Sequence, residues 1–157
     1  NAEPRTRLRR TGKERMRPKL RAEHALSAPA DAPGGTLGGA PARRSVLVGL
    51  VGAGIQASKT PAMHEREGDA QGLRCLYRLI DLTELGLGVG SVGELLIAAR
   101  RMGFAGLNIT FPCKQAVIPH LTALSEDARA LGAVNTVAFD KTGRATGYNT
   151  DRLGFRA

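Results

Sequence analysis

The chain has 157 residues, of which 42% are apolar, 24% charged and 4% aromatic, enough for one modest core and too few for two full domains. Lys and Arg outnumber Asp and Glu by 23 to 14, a net charge of +9. The excess is local: residues 1–44 carry 11 basic and 4 acidic side chains, whereas residues 45–157 carry 12 and 10. No run of about 18 apolar residues is present, which argues against an apolar membrane-spanning helix. Two cysteines, Cys75 and Cys113, with no CxxC and no histidine at ligand spacing, argue against a disulfide framework and a structural zinc.

Taken in chain order, residues 1–22 are crowded with Arg and Lys and residues 27–44 are mostly Ala, Pro and Gly. Such a composition buries too little apolar surface to offset ordering, so 1–44 is expected to be a disordered tail. Val46 to Val51 is a short β-branched run bounded by Gly52 and Gly54, which predicts a buried strand. Thr60 directly before Pro61 predicts an N-cap and a helix over 61–69. Residues 74–80 alternate, with Cys75, Tyr77 and Leu79 on one side and Leu76 and Ile80 on the other, and read as a second strand.

Val92, Leu95, Leu96, Ala99 and Met102 fall on one helical face, with Gly103 as the stop. A third strand is expected over 104–110, then a short helix over 113–118 broken by Pro119. Ser125 is placed to cap a helix ending at Leu131, with Gly132 at its exit. Strands over 134–139 and 145–148 flank Lys141 to Arg144 as a hairpin, and Thr150 and Asp151 open a last helix. Alternating strands and helices specify an α/β fold with a mostly parallel sheet flanked by helices.

Two glycine clusters imitate a dinucleotide loop. Gly88, Gly90 and Gly93 match GxGxxG, but they follow Thr83 to Leu85 rather than a strand; Gly49, Gly52 and Gly54 lead toward a cap and a proline instead of directly into a helix. Loop and turn glycines account for both. Three other segments are richer in polar residues than folding requires: Ser58 to Thr60 with His64, Asn108 to Gln115, and Asn135 and Thr136 with Asn149 to Asp151. Each lies at a strand end or helix start, where open α/β sheets present side chains to ligands, and hydroxyls and amides together suit a small, oxygen-rich molecule. Lys114 is either a solvated charge or, partly desolvated, a proton exchanger with Asp151 as its orienting carboxylate; chemistry alone leaves both open. His64 is read either as polar support for the pocket or, in preference, as a helix-face residue satisfied by a backbone carbonyl, Cys75 as a core strand residue, and Tyr77 as packed rather than catalytic.

The blocks GAGIQASKTPAMH (52–64), GLNITFPCKQ (106–115), GAVNTV (132–137) and GYNTDRLGF (147–155), in this order, resemble the shikimate dehydrogenase family. The SKTPAMHE form is similar to its quinate/shikimate branch. The resemblance covers about residues 45–157 and implies the substrate-binding domain of a two-domain enzyme, whose C-terminal Rossmann domain would bind NAD or NADP and is not in this chain. It implies reversible oxidation of shikimate to 3-dehydroshikimate, or of quinate to 3-dehydroquinate, in the aromatic amino acid pathway. By the same likeness Lys114 and Asp151 are the catalytic pair, Ser58 and Thr60 hold the substrate carboxylate, Asn108 and Thr110 line the ring pocket, and Asn135 meets substrate hydroxyls. No metal and no residue of the cofactor site is implied here. Cys113 stands where the family usually has an aromatic residue, an expectation of looser packing beside Lys114.

The chain opens with Asn1 and closes at Ala157, and is expected to be a fragment, inactive alone. Two other readings are kept: a stand-alone shikimate-type ligand-binding module without redox chemistry, and a nucleic-acid binder acting through residues 5–21. The basic arm lacks interleaved aromatics for base stacking, which favours a solvated tail. No membrane partner is expected; a homodimer is among the assemblies open to the whole enzyme. A cytoplasmic setting fits the two cysteines and the lack of a secretory signal, with an organelle transit peptide as the minor alternative.

Overall fold

A computed structural model describes residues 43–151. The expected disorder of the tail through residue 42, and the helix beyond Asp151, lie outside the described residues. The order is β1 (Ser45–Gly52), α1 (Thr60–Ala70), β2 (Arg74–Asp81), α2 (Val92–Arg101), β3 (Gly106–Ile109), α3 (Cys113–Ala116), β4 (Ala123–Leu124), α4 (Glu126–Leu131), β5 (Thr136–Phe139) and β6 (Ala145–Tyr148). The strands form one sheet in the order β2-β1-β3-β5-β6-β4. β1 is parallel to β2 and β3, and β4 to β6, while β5 is antiparallel to both β3 and β6. The α/β fold with a mostly parallel sheet is therefore as expected, and only β5 runs against the rest. Arg43 and Arg44, read from composition as part of the tail, are tied to the domain. The Arg44 carbonyl accepts the Arg74 N–H at 2.9 Å, and Arg43 pairs with Asp69 at 3.3 Å.

Alternation along each strand sorts the two faces of the sheet. Val51, Leu107, Ile109 and Val137 join Leu96, Ala99 and Phe104 in the core on the α2 side. Each large aliphatic side chain fully buried there contributes roughly 1.5–3 kcal/mol. The opposite face carries Tyr77, Asn108 and Thr136; α1 packs on its β2 end, where Gly68 lies so close to Cys75 that a Cβ would sit 2.5 Å from the cysteine Cβ. Among the described residues no helix is long and apolar enough to cross a membrane.

Local signals hold where they depend on near neighbours. Ser125 Oγ accepts the Ala128 N–H at 3.2 Å, and Gly132 leaves α4 with φ 60°. Three details differ. Thr60 is the first residue of α1 rather than its cap; Ser58 Oγ takes the Thr60 N–H at 3.2 Å. Pro119 does not break a helix but sits within a 3-10 turn, Ile118–His120, because α3 has already ended at Ala116. Gly49 and Gly52 are strand residues, not turn residues. At Gly52 a Cβ would run into the Thr110 methyl group and lie 3.0 Å from the Phe111 carbonyl oxygen, so this glycine lets the ends of β1 and β3 come together.

The loop after β1 is fixed by a residue that local pattern does not reveal. Asp81, 3% exposed at the end of β2, accepts the Gly54 and Thr83 N–H groups on Oδ1 at 2.8 and 3.0 Å. On Oδ2 it accepts the Ile55 N–H at 2.8 Å and the Gln56 side-chain amide at 3.2 Å. Burial pushes its carboxyl pKa up, but the backbone donors and Gln56 outweigh burial and hold it below the ordinary value.

Two outcomes are expected. Ser125→Ala should cost about 1 kcal/mol in urea denaturation, the usual value of a lost N-cap. Asp81 has a folded-state pKa below its unfolded one, so its contribution is complete above the unfolded pKa and disappears as pH falls through the folded one. Asp81→Asn should therefore lower the urea midpoint at pH 7 and flatten its decline as the pH falls through and below the ordinary carboxylate range; an unchanged acid limb would remove Asp81 from this role.

Candidate functional site

The reversal of β5 assembles the site. Because β5 runs backward, its start lies beside the C-terminal ends of β3 and β6: Asn108 pairs in register with Thr136, and Thr136 with Tyr148. The polar segments around Asn108, Asn135 and Asn149, far apart in sequence, thus open at one edge of the sheet. The end of β1 joins them there, since Thr110 N–H donates to Val51 O at 2.9 Å and Ala53 N–H to Phe111 O at 3.0 Å.

Lys114 stands on α3, which follows the cis Phe111–Pro112 peptide, and its carbonyl accepts the Val134 N–H at 2.8 Å. Its Nζ donates to Asp151 Oδ2 at 3.0 Å, the lysine side chain 37% and the aspartate 57% exposed. Asn135 Nδ2 donates to Asp151 Oδ1 at 2.9 Å and to Thr150 Oγ1 at 2.9 Å. The Asn135 carbonyl accepts the Thr136 hydroxyl at 3.0 Å and the Thr150 N–H at 3.1 Å. Lys114 holds the Asp151 carboxyl below the usual carboxylate range; partial burial opposes this and Asn135 adds to it. Behind the pair, buried Asn149 accepts the Asp151 N–H at 3.0 Å and donates to the Ala133 carbonyl at 3.0 Å, fixing the backbone from which the carboxylate projects.

Asn108 joins the same network, with Nδ2 donating to Thr136 Oγ1 at 3.4 Å. Ser58 and Thr60 form a separate pair on the loop held by Asp81, Ser58 Oγ donating to Thr60 Oγ1 at 2.9 Å. Among the described residues no hydrogen bond joins that pair to the Lys114 network. The half-buried Thr110 side chain makes no hydrogen bond among the described residues, and its methyl lies over Gly52.

Cys113, whose small side chain was expected to loosen the packing beside Lys114, points into the core. It is 0% exposed in the core with Val117 and Val134, and burial pushes its thiol pKa up. Among the described residues the His64 side chain makes no hydrogen bond to a backbone carbonyl; its ring stacks on Tyr77 with centroids 4.9 Å apart. Tyr77 is packed, as expected, and also donates its hydroxyl to Asn108 Oδ1 at 2.7 Å. Asp81 and Tyr77 are the supports that sequence reasoning did not single out as site residues, whereas Asn149 lay in one of its polar segments. A lone carboxylate closing an apolar strand was the available sign for Asp81.

The glycine clusters offer no cradle for a dinucleotide. Gly88 precedes a short 3-10 turn containing Gly90, Gly93 lies within α2 with its Cβ position 2.5 Å from the His120 ring, and Gly49 and Gly52 are inside β1. None has the strand, tight turn and helix start that hold a pyrophosphate. Among the described residues no group of three or more His, Cys, Asp or Glu is placed to bind a metal ion.

The chain is similar to known proteins in both sequence and fold. Residues 50–137 match the family described as shikimate dehydrogenase substrate binding domain. A shikimate dehydrogenase (NADP(+)) of Arthrobacter sp. (strain FB24) is 66% identical over 113 residues, which cover 72% of this chain and 38% of that protein. A quinate/shikimate dehydrogenase (NAD(+)) of Corynebacterium efficiens is 57% identical over 112 residues, covering 71% of this chain and 39% of that protein. Among solved structures, quinate dehydrogenase from Corynebacterium glutamicum in complex with NAD superposes with a TM-score of 0.67 at 52% identity, over 72% of this chain and 40% of that one. The chain thus spans less than half the length of these relatives. With the family match covering more than half of its residues, the protein belongs to the family of the shikimate dehydrogenase substrate binding domain.

Proposed function

We propose that residues 45–157 are the substrate-binding and proton-handling domain of an NAD- or NADP-linked shikimate or quinate/shikimate dehydrogenase. The observation that carries this reading is the Lys114–Asp151 ion pair, held by Asn135 at the open edge of the sheet, in a chain whose relatives carry both dehydrogenase names. A nicotinamide dinucleotide, when bound to the whole enzyme, exchanges the hydride. The part of residues 45–157 is to bind the acid and move a proton.

In the reducing direction the Lys114 ammonium gives a proton to the ketone oxygen as it becomes a hydroxyl; in the oxidising direction the free amine takes that proton back. Asp151 orients Lys114 through their ion pair. Ser58 and Thr60 exchange their mutual hydrogen bond for contacts to the substrate carboxylate. Asn108 and Thr110 line the ring pocket, and Asn135 reaches the ring hydroxyls when its bond to the Thr150 hydroxyl is given up.

The pair is tested first without ligand. In Lys114→Ala, the Asp151 carboxyl should titrate at a higher pH than in the unaltered chain, because its main stabilising donor is gone; carboxyl carbon NMR reads this, and an unmoved titration would mean the pair does not form in solution. Calorimetric titration of shikimate, then quinate, into the chain should give saturable binding, weakened at least about tenfold in the Lys114→Ala, Asp151→Ala double variant, as expected for loss of charge-assisted contacts. Equal affinity of both proteins would overturn the assignment.

A further inference from the structure

The hydrogen bonds across the sheet run in one direction. Asp151 is ionised and only accepts, so the Asn135 amide must turn its nitrogen toward it. The Asn135 carbonyl therefore faces Thr136, whose single hydroxyl hydrogen goes there. Thr136 Oγ1 is left as an acceptor, and it takes the Asn108 Nδ2–H. The Asn108 carbonyl oxygen then points the other way, along the sheet, where Tyr77 donates to it at 2.7 Å. Tyr77 aligns with Val48 and Asn108 with Leu50, so the phenol reaches diagonally over β1 from the edge strand. Of the groups in this row, Tyr77 stands at the donor end and Asp151 at the acceptor end.

Two further facts suit Tyr77 to that end. Its ring is held by the His64 imidazole at an interplanar angle of 25°. Burial, with the Cys75 thiol adding to it, pushes the phenol pKa well above its ordinary value, so the hydroxyl keeps its hydrogen throughout the neutral range. If the phenol were absent, the Asn108 amide would lose the one partner that requires its carbonyl oxygen on that side.

We propose that Tyr77 is a positioning residue of the substrate site: through its hydroxyl it fixes the Asn108 amide so that the remaining Nδ2 hydrogen is presented as a donor to an oxygen of the ligand. The inference rests on the assignment of Asn108 to the ring pocket. The ligand group it selects at that point is a hydrogen-bond acceptor, a hydroxyl or carboxylate oxygen, and a group that only donates is disfavoured because it would meet N–H.

The test uses the full chain and Tyr77→Phe, which keeps the ring against His64 and removes only the hydroxyl. With asparagine selectively labelled with nitrogen-15, the unaltered protein should show a nuclear Overhauser contact between the Asn108 side-chain amide and Thr136; the variant should lose or halve it. Shikimate affinity of the variant, measured by calorimetry, should fall about tenfold, the upper range for one hydrogen bond, while the Asp151 carboxyl titration stays where it is. An Asn108–Thr136 contact that persists undiminished in the variant overturns the proposal, and so does a released amide with unchanged affinity. A lowered unfolding midpoint with the contact intact assigns Tyr77 to stability alone and also overturns it. If the unaltered chain binds no shikimate, the functional reading fails; the proposal's positioning claim is then decided by the amide contact, standing if the variant loses it and falling if it does not.

Discussion

β5 enters the sheet between β3 and β6 and runs opposite to both, and the polar site depends on that arrangement. In a wholly parallel sheet every strand would present its C-terminal end at one edge, and the residues that start a strand would lie at the far side. Here the start of β5 is brought to the ligand edge, so Asn135 and Thr136 stand between Asn108 on β3 and the Asn149–Asp151 turn after β6. The hairpin that makes this possible is short, closed by Asp140, which accepts the Thr142 and Arg144 N–H groups at 2.8 and 2.9 Å. The same alternation that turns Asn108 and Thr136 toward the site turns Leu107 and Val137 into the core. One set of backbone constraints therefore decides both burial and chemistry.

Two carboxylates support this arrangement by different means. Asp81 is nearly inaccessible and gathers four donors from the loop after β1 and its own strand end. Asp151 is half exposed and shared between a lysine and an asparagine. The first holds the chain that carries Ser58 and Thr60 in one path; the second remains accessible enough to meet a ligand. Among the described residues no buried side-chain nitrogen or oxygen lacks a hydrogen-bond partner.

What was legible in the sequence is what depends on near neighbours. The spacing of Val92, Leu96 and Ala99, the Ser125 cap and the Gly132 exit are each decided within a few residues, and each stands in the structure. The α/β class followed from the alternation of elements. The motif segments at Asn108, Asn135 and Asp151 were legible as polar clusters at element ends, and the fold brings them together, though their pairing could not be read from spacing. The supports were less visible because their partners are distant: Asp81 acts 25 to 27 residues away, and Tyr77 31 residues away. In composition a strand tyrosine looks only like packing. Thr60 was misplaced as a cap because Thr-Pro is a common helix opening, whereas the actual acceptor for its N–H, Ser58, stands two residues earlier.

The fully committed Asn135 amide has a thermodynamic consequence. Both of its N–H donors and both carbonyl lone pairs are engaged before any ligand arrives, so its side-chain rotation is already restricted. A small polar molecule entering beside it does not have to immobilise that amide, and the entropy of ordering it was spent when the domain folded. Against the Thr150 hydrogen bond that Asn135 gives up to reach the ligand, this saved entropy leaves more of the gross contact energy as affinity.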